Sequence, residues 1–278
     1  MIEGRYQEIG DGLRIHYHDL GPTGAKTPPV VFLHGSGPGA SGWSNFKRNA
    51  PAFAARGRRA IVVDNLGFGR SSKPDRDHGL DFVVGGVKRL LDRLEIARAD
   101  VVGNSHGGAC AIQLALDEPA RVRSLVLMAP GGLEDREAYM QMSGIRTMMK
   151  VFLGGGEITR DSMRKLFELQ LHDPSLLDDE TLDERVACAR EQPKRVMTSL
   201  AVPNLAPRLP ELQCPVFGWW GTGDNFCPAT GATTIANRCR DARVMLLARC
   251  GHWVMVEHAA LFNRLTLDFL DELEQSAA

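Results

Sequence analysis

Ser105 lies in the pentapeptide Gly103-Asn104-Ser105-His106-Gly107, with Gly108 directly after it. A serine hydroxyl at its free pKa is a weak nucleophile, so it needs a base and a group that orients the base. Both types follow in the chain. Asp224 sits in "WWGTGDNFCP" and His252 in "ARCGHWVMVEH", giving the order Ser, Asp, His. The chemistry of such a set is acyl transfer through a covalent serine intermediate. Blander readings exist for each residue alone. Glycine-rich pentapeptides arise by chance, an Asp in a Gly-rich turn can simply cap it, and His252 is one of eight histidines. His258 is the nearest rival base, and the His106 backbone is expected to matter more than its ring.

Acyl transfer also needs N–H donors aimed at the developing oxyanion. One is expected from His106, at the start of the helix after the serine. The other is expected from Ser36 in "HGSGPG", residues 34 to 39. That loop could instead cradle a phosphate, but it lacks the Gly-Lys-Ser/Thr ending of a P-loop.

The elements that must hold these residues are legible as alternating patterns. "LRIHYHDL" reads as an early antiparallel strand. "PVVFLHG" (29 to 35), "RAIVVDN" (59 to 65), "ADVVGN" (99 to 104), "VRSLVLMAP" (122 to 130), "CPVFGWWG" (214 to 221) and "ARVMLLA" (242 to 248) supply further strands. Helical patterns fall at about 80 to 95, 106 to 117 and 228 to 238, and a last helix repeats Leu261, Leu265, Phe269 and Leu273 every four residues. Strand and helix in alternation predict an α/β domain with a mainly parallel sheet. In that frame a Gly-x-Ser-x-Gly between strand and helix is a nucleophile elbow, and Asp224 and His252 each fall just past a strand.

Residues 131 to 210 break the alternation with helical periodicity alone, as in "TRDSMRKLFELQL" and "LDERVACAREQP". The expectation is a core of residues 1–130 and 211–278 carrying a helical lid, 131–210, hinged at "APGGL" and "VPNLAPRLP".

Composition narrows the partners. The 33 basic and 34 acidic residues balance, arguing against nucleic acid or a membrane surface. No apolar run approaches the roughly 20 residues that span a bilayer, and no signal peptide is evident, so a cytoplasmic protein is expected. The six cysteines form no Cys-x-x-Cys pair, which predicts reduced thiols and no metal site. "IEGR" at residues 2 to 5 resembles a protease-cleavage linker, with native sequence the equal alternative.

The succession "HGSGPGASGWSNF", "DNLGFGRSS", "GNSHGG", "LMAPGGL", "GTGDNFCP" and "CGHWVMVEH" resembles the meta-cleavage product hydrolases. These are carbon–carbon bond hydrolases of the α/β-hydrolase superfamily that act in bacterial degradation of aromatic compounds. The likeness runs from about residue 13 to 271. Haloalkane dehalogenases and epoxide hydrolases fit less well, because they carry aspartate where Ser105 stands; proline iminopeptidases typically carry HGGPG rather than HGSGPG. The resemblance implies the eight-stranded α/β-hydrolase fold, no cofactor, a tendency to form homo-oligomers, and a 2-hydroxy-6-oxohexa-2,4-dienoate substrate. By the same resemblance Arg185 binds the substrate carboxylate, with Gly35, Gly37, Asn45, Asn104 and Trp253 completing the polar end. Arg190, five residues on, is the competing arginine. His106 departs from the Met or Leu common at that place, and Gln170 and His172 stand where bulkier apolar residues are frequent; both leave the C6 substituent open. A carboxylesterase or lactonase using the same triad is the alternative enzyme. A non-catalytic binding protein is disfavoured, since it need not keep Ser105, Asp224 and His252.

Overall fold

A β-branched run buried on both faces is stable only as an inner strand of a covered sheet, and four of the runs are fully buried along their length. The computed structural model describes residues 3–154 and 157–276. Its eight strands are β1 Arg5–Gly10, β2 Leu13–Leu20, β3 Val30–Leu33, β4 Ala60–Val63, β5 Ala99–Asn104, β6 Val122–Met128, β7 Val216–Gly221 and β8 Ala242–Leu247. They form one sheet in the order β1-β2-β4-β3-β5-β6-β7-β8. The β1–β2 and β2–β4 pairings are antiparallel and the other five parallel. This is the α/β-hydrolase architecture. β1 has no counterpart among the strands read from sequence, because "RYQEIG" is polar and Ile9 alone of its residues is buried. Of the "IEGR" stretch, Ile2 lies outside the described residues, whereas Arg5 opens β1 and pairs with Asp19.

Alternate residues of the inner strands feed two cores. Val31, Leu33 and Val101 pack on one face with the helices Leu80–Arg93 and His106–Asp117. Val30, Phe32 and Val102 pack on the other with Phe53, Trp219 and Phe262. The final helix, Ala259–Gln275, presents a different stripe from the one its leucines suggest. Phe262, Thr266, Leu267, Phe269 and Leu270 are buried, while Leu261, Leu265 and Leu273 are only partly covered at the edge of the same cluster.

Between β6 and β7 the described residues form helices and no strand. "TRDSMRKLFELQL" supplies the helix Arg160–Glu168, which Thr159 opens with a capping box to Ser162. "LDERVACAREQP" supplies most of Asp179–Arg190, capped by the Asp178 side chain. The two ends of the insertion meet, since the Leu205 N–H donates to the Gly132 carbonyl at 2.6 Å. Residues 205 to 212 already belong to the core, with Leu205, Leu209 and Leu212 buried against it.

Candidate active site

In a parallel sheet the loops at the carboxyl ends of the strands converge on one edge, where ligands bind. β3 delivers Gly35 and Ser36, β5 delivers Ser105, β7 delivers Asp224, and β8 delivers His252 to that edge.

Ser105 has φ 54° and ψ −118°, a conformation rare for any residue other than glycine. The turn is held by the Ser105 N–H on the Met128 carbonyl at 3.0 Å and by the Gly131 N–H on the Ser105 carbonyl at 2.9 Å. Its glycines are steric necessities. A Cβ at Gly103 would stand 2.7 Å from the Gly108 Cα, and one at Gly107 would run into the Leu33 carbonyl. The pentapeptide thus exists because strand and helix pass too close for side chains.

His252 Nδ1 lies 2.7 Å from Asp224 Oδ2, and both side chains are buried. The other carboxylate oxygen, Oδ1, accepts the N–H groups of Phe226 at 2.7 Å and Cys227 at 3.0 Å. The carboxylate is therefore fixed on both sides. The Phe226 ring lies 5.1 Å from the imidazole. His258 is not in this set; it sits at the junction of the last two helices.

His106 opens its helix, so its N–H has no intrahelical acceptor. Among the described residues no hydrogen bond takes it or the Ser36 N–H. The loop that carries Ser36 is braced by His34. Its Nε2 accepts the Asn65 N–H at 3.0 Å, which leaves Nδ1 to donate to the Gly35 carbonyl at 2.7 Å. Burial lowers the His34 pKa to about 4, so the ring is neutral. The His106 ring is also buried and pushed down to about 4, mainly by desolvation. It points at Cys110 Sγ, 3.7 Å away, and Phe68.

A cavity of about 360 Å³, its open mouth included, joins these groups. Gly35, Ser36, Ser105 and His252 line it with Asn45, Asn104, Gln170, Arg185 and Trp253, and with an apolar wall of Ile145, Met148 and Phe226. Asn45 Nδ2 donates to Asn104 Oδ1 at 3.2 Å, and Asn104 Nδ2 to the Met128 carbonyl at 3.2 Å. Asn104 thus ties the elbow to β6 as well as facing the cavity. Gly37 is not on the cavity wall but lies beneath Arg185, whose Nη2 would be 3.6 Å from a Cβ placed there.

Arg185 is 3 % exposed. Its guanidinium stacks over Phe167 at 4.9 Å and Trp253 at 5.5 Å. Its one hydrogen bond is a long contact of 3.5 Å to Ser44 Oγ, and its Nε has no partner among the described residues. Burial lowers its pKa to about 10, which still leaves it charged at neutral pH. Among the described residues no carboxylate forms an ion pair with it; Glu184 acts on it only at longer range and is bonded to Ser41. A buried cation without a direct ionic partner is costly and marks a place where an anion can dock. Arg190, by contrast, is exposed and bonds the Ile158 carbonyl.

Three features here have no sequence signal that reading residue types would catch. The Gln170 carbonyl accepts the N–H groups of His252 at 2.8 Å and Trp253 at 3.2 Å. The Glu257 carboxylate accepts Gly251 N–H at 2.6 Å through Oε1, and through Oε2 those of His172 at 2.6 Å and Asp173 at 3.1 Å. The apolar wall comes partly from the helix Ser143–Leu153, whose amphipathic pattern does not say what it faces.

The alpha/beta hydrolase family matches residues 30–265. The chain belongs to that family. Within this family it is 38 % identical over 267 residues to a 2-hydroxy-6-oxononadienedioate/2-hydroxy-6-oxononatrienedioate hydrolase of Comamonas testosteroni, covering 92 % of this chain and 91 % of the relative. It is equally similar, at 38 % with the same coverage, to a 2-hydroxy-6-oxo-6-phenylhexa-2,4-dienoate hydrolase of Burkholderia cepacia. The crystal structure of a meta-cleavage product hydrolase from Pseudomonas fluorescens IP01 superposes with TM-score 0.83 at 28 % identity, over 97 % of this chain and 98 % of that one. The family member described here thus groups with the meta-cleavage product hydrolases, as its motifs imply.

Proposed function

We propose that this hydrolase cleaves the C5–C6 bond of 2-hydroxy-6-oxohexa-2,4-dienoates, the ring-opened products of aromatic degradation. The observation that carries this reading is Arg185, a buried guanidinium that faces the cavity holding Ser105 and, among the described residues, forms no ion pair with a carboxylate. An ordinary ester needs no such cation, whereas the C1 carboxylate of a dienoate does, and a planar guanidinium pairs with it well.

The proposed chemistry follows from the poor quality of carbon as a leaving group. Proton transfer to C5 converts the dienol to its keto tautomer, so that the electron pair released at C5 can delocalise onto the C2 oxygen. Ser105, deprotonated by His252 with Asp224 as orienting acid, attacks the C6 ketone. The Ser36 and His106 N–H groups receive the oxyanion. The C5–C6 bond then breaks, the C2 oxygen of the leaving dienolate takes the proton that His252 received from Ser105, a 2-hydroxypenta-2,4-dienoate departs, and water activated by the now neutral His252 releases the acyl group as a carboxylic acid. The sequence balances without a cofactor or metal. Gly35, Gly37, Asn45, Asn104 and Trp253 shape the polar end around Arg185, and the insertion read from the sequence as 131–210 serves, up to the residues from 205 that pack into the core, as the lid over the core of 1–130 and 211–278. We read the enzyme as cytoplasmic: among the described residues no helix is long and apolar enough to cross a membrane. Homo-oligomer formation fits the unpaired edge of β8, where Leu246 is exposed.

The test is loss of the yellow absorbance of 2-hydroxy-6-oxo-6-phenylhexa-2,4-dienoate, beside a Ser105→Ala variant and a p-nitrophenyl ester. Bleaching that requires Ser105 and outpaces ester cleavage is expected. Rapid ester cleavage with every dienoate left intact would reduce the enzyme to an esterase.

A further inference from the structure

We propose that the enzyme selects dienoates whose C6 substituent is uncharged and apolar, aryl or alkyl, and rejects those that end in a second carboxylate. This rests on the dienoate reading above and concerns a choice on which the relatives' names differ. Two proteins equally similar to this chain are named for opposite choices, one for a dioate and one for a phenyl ketone.

The cavity decides through its charge. A second carboxylate taken out of water needs its own cation or a set of donors, because an unpaired buried charge is strongly disfavoured. Arg185 is the one Lys or Arg on the cavity wall among the described residues, and the C1 carboxylate engages it. Lys47, the nearest lysine in sequence to the cavity residue Asn45, is occupied by Asp178 at 2.9 Å and Glu180 at 3.0 Å. The two buried histidines behind the loops, His34 and His106, are held neutral near neutral pH and bring no charge.

What the cavity offers instead is the wall of Ile145, Met148 and Phe226. Phe226 is not free to swing aside, since its ring packs on His252 and fills the space that a Cβ on Gly144 would take. A thioether and a fixed aromatic edge suit an aryl or alkyl group.

The experiment compares kcat/KM of the wild-type enzyme for the 6-phenyl and 6-methyl dienoates with that for 2-hydroxy-6-oxonona-2,4-dienedioate. The expected result is a preference of about 100-fold or more for the uncharged pair, the scale on which an unpaired buried charge is rejected. An Ile145→Arg variant places a guanidinium on the apolar wall, away from the Gly37 position where Met148 and Arg185 meet, and it should narrow the gap at least tenfold by gaining on the dioate and losing on the phenyl ketone. Equal or better turnover of the dioate by the wild type overturns the proposal while leaving dienoate hydrolysis intact. Failure to cleave any dienoate overturns the parent reading, and this one with it.

Discussion

The backbone N–H of His252 donates to the carbonyl of Gln170 at 2.8 Å, so the proposed base is held by the insertion and not by the core alone. Glu257 doubles the attachment by gathering N–H groups from both segments onto one carboxylate. Three donors suit a carboxylate, which only accepts; an amide would turn an NH₂ group toward one of them. Glu257→Gln should therefore lower kcat by roughly tenfold through misplacement of His252, with little change in KM, since Arg185 is untouched. Steady-state kinetics with active sites counted by a fluorophosphonate label separates this from a loss of folded enzyme. A change in KM alone would refute it.

Removing the cation should trade binding against stability. Arg185→Met takes away a buried charge that forms no ion pair among the described residues, so the ligand-free protein should gain about 1 kcal/mol or more in urea unfolding. The same variant should raise KM for the dienoate by roughly 10- to 100-fold, the worth of a charge-assisted hydrogen bond, and leave hydrolysis of a neutral ester nearly unchanged.

Asp224→Asn keeps the shape but offers an amide to His252 Nδ1. With the imidazole no longer held in the productive tautomer, kcat should fall about 10³- to 10⁴-fold. Circular dichroism should show the fold intact, and labelling of Ser105 by a fluorophosphonate should slow in parallel.

Acid should weaken the fold through His34 and His106. Each is neutral when folded, with a pKa of about 4 against 6.5 in the unfolded chain. The unfolded state thus takes up protons first, so this stability is complete above pH 6.5 and is lost as pH falls toward 4. Between pH 7.5 and 5 the loss should be about 2 kcal/mol per ring, an order-of-magnitude figure from one pKa unit being about 1.4 kcal/mol. His106→Met should flatten that slope by half, read from urea unfolding at the two pH values.

The parts of the site legible in the sequence were those carried by chain-local constraint. Ser105 announces itself because its neighbours must be glycine, and Asp224 and His252 because each follows an apolar strand. Arg185 was separable from Arg190 only by resemblance, since both sit on one helix and differ in which side the fold buries. β1 was illegible because an edge strand on the polar margin needs no apolar pattern. The last helix misled because its regular leucines mark the margin of the buried face, while Phe262 and Leu270 mark its centre. The Gln170 carbonyl carries no residue-type signal at all, since every residue has one.

The meeting of Gly132 and Leu205 at one hydrogen bond means that the insertion leaves the core and rejoins it at adjacent points. Such a segment can be cut out and replaced by one of different length without disturbing strand register. The proposed nucleophile Ser105 and the proposed oxyanion donors Ser36 and His106 lie outside the excised stretch, while Ile145, Met148 and Arg185 lie within it. Grafting this cassette from a relative would accordingly carry substrate choice with it, provided the donor supplies a carbonyl where Gln170 now receives His252.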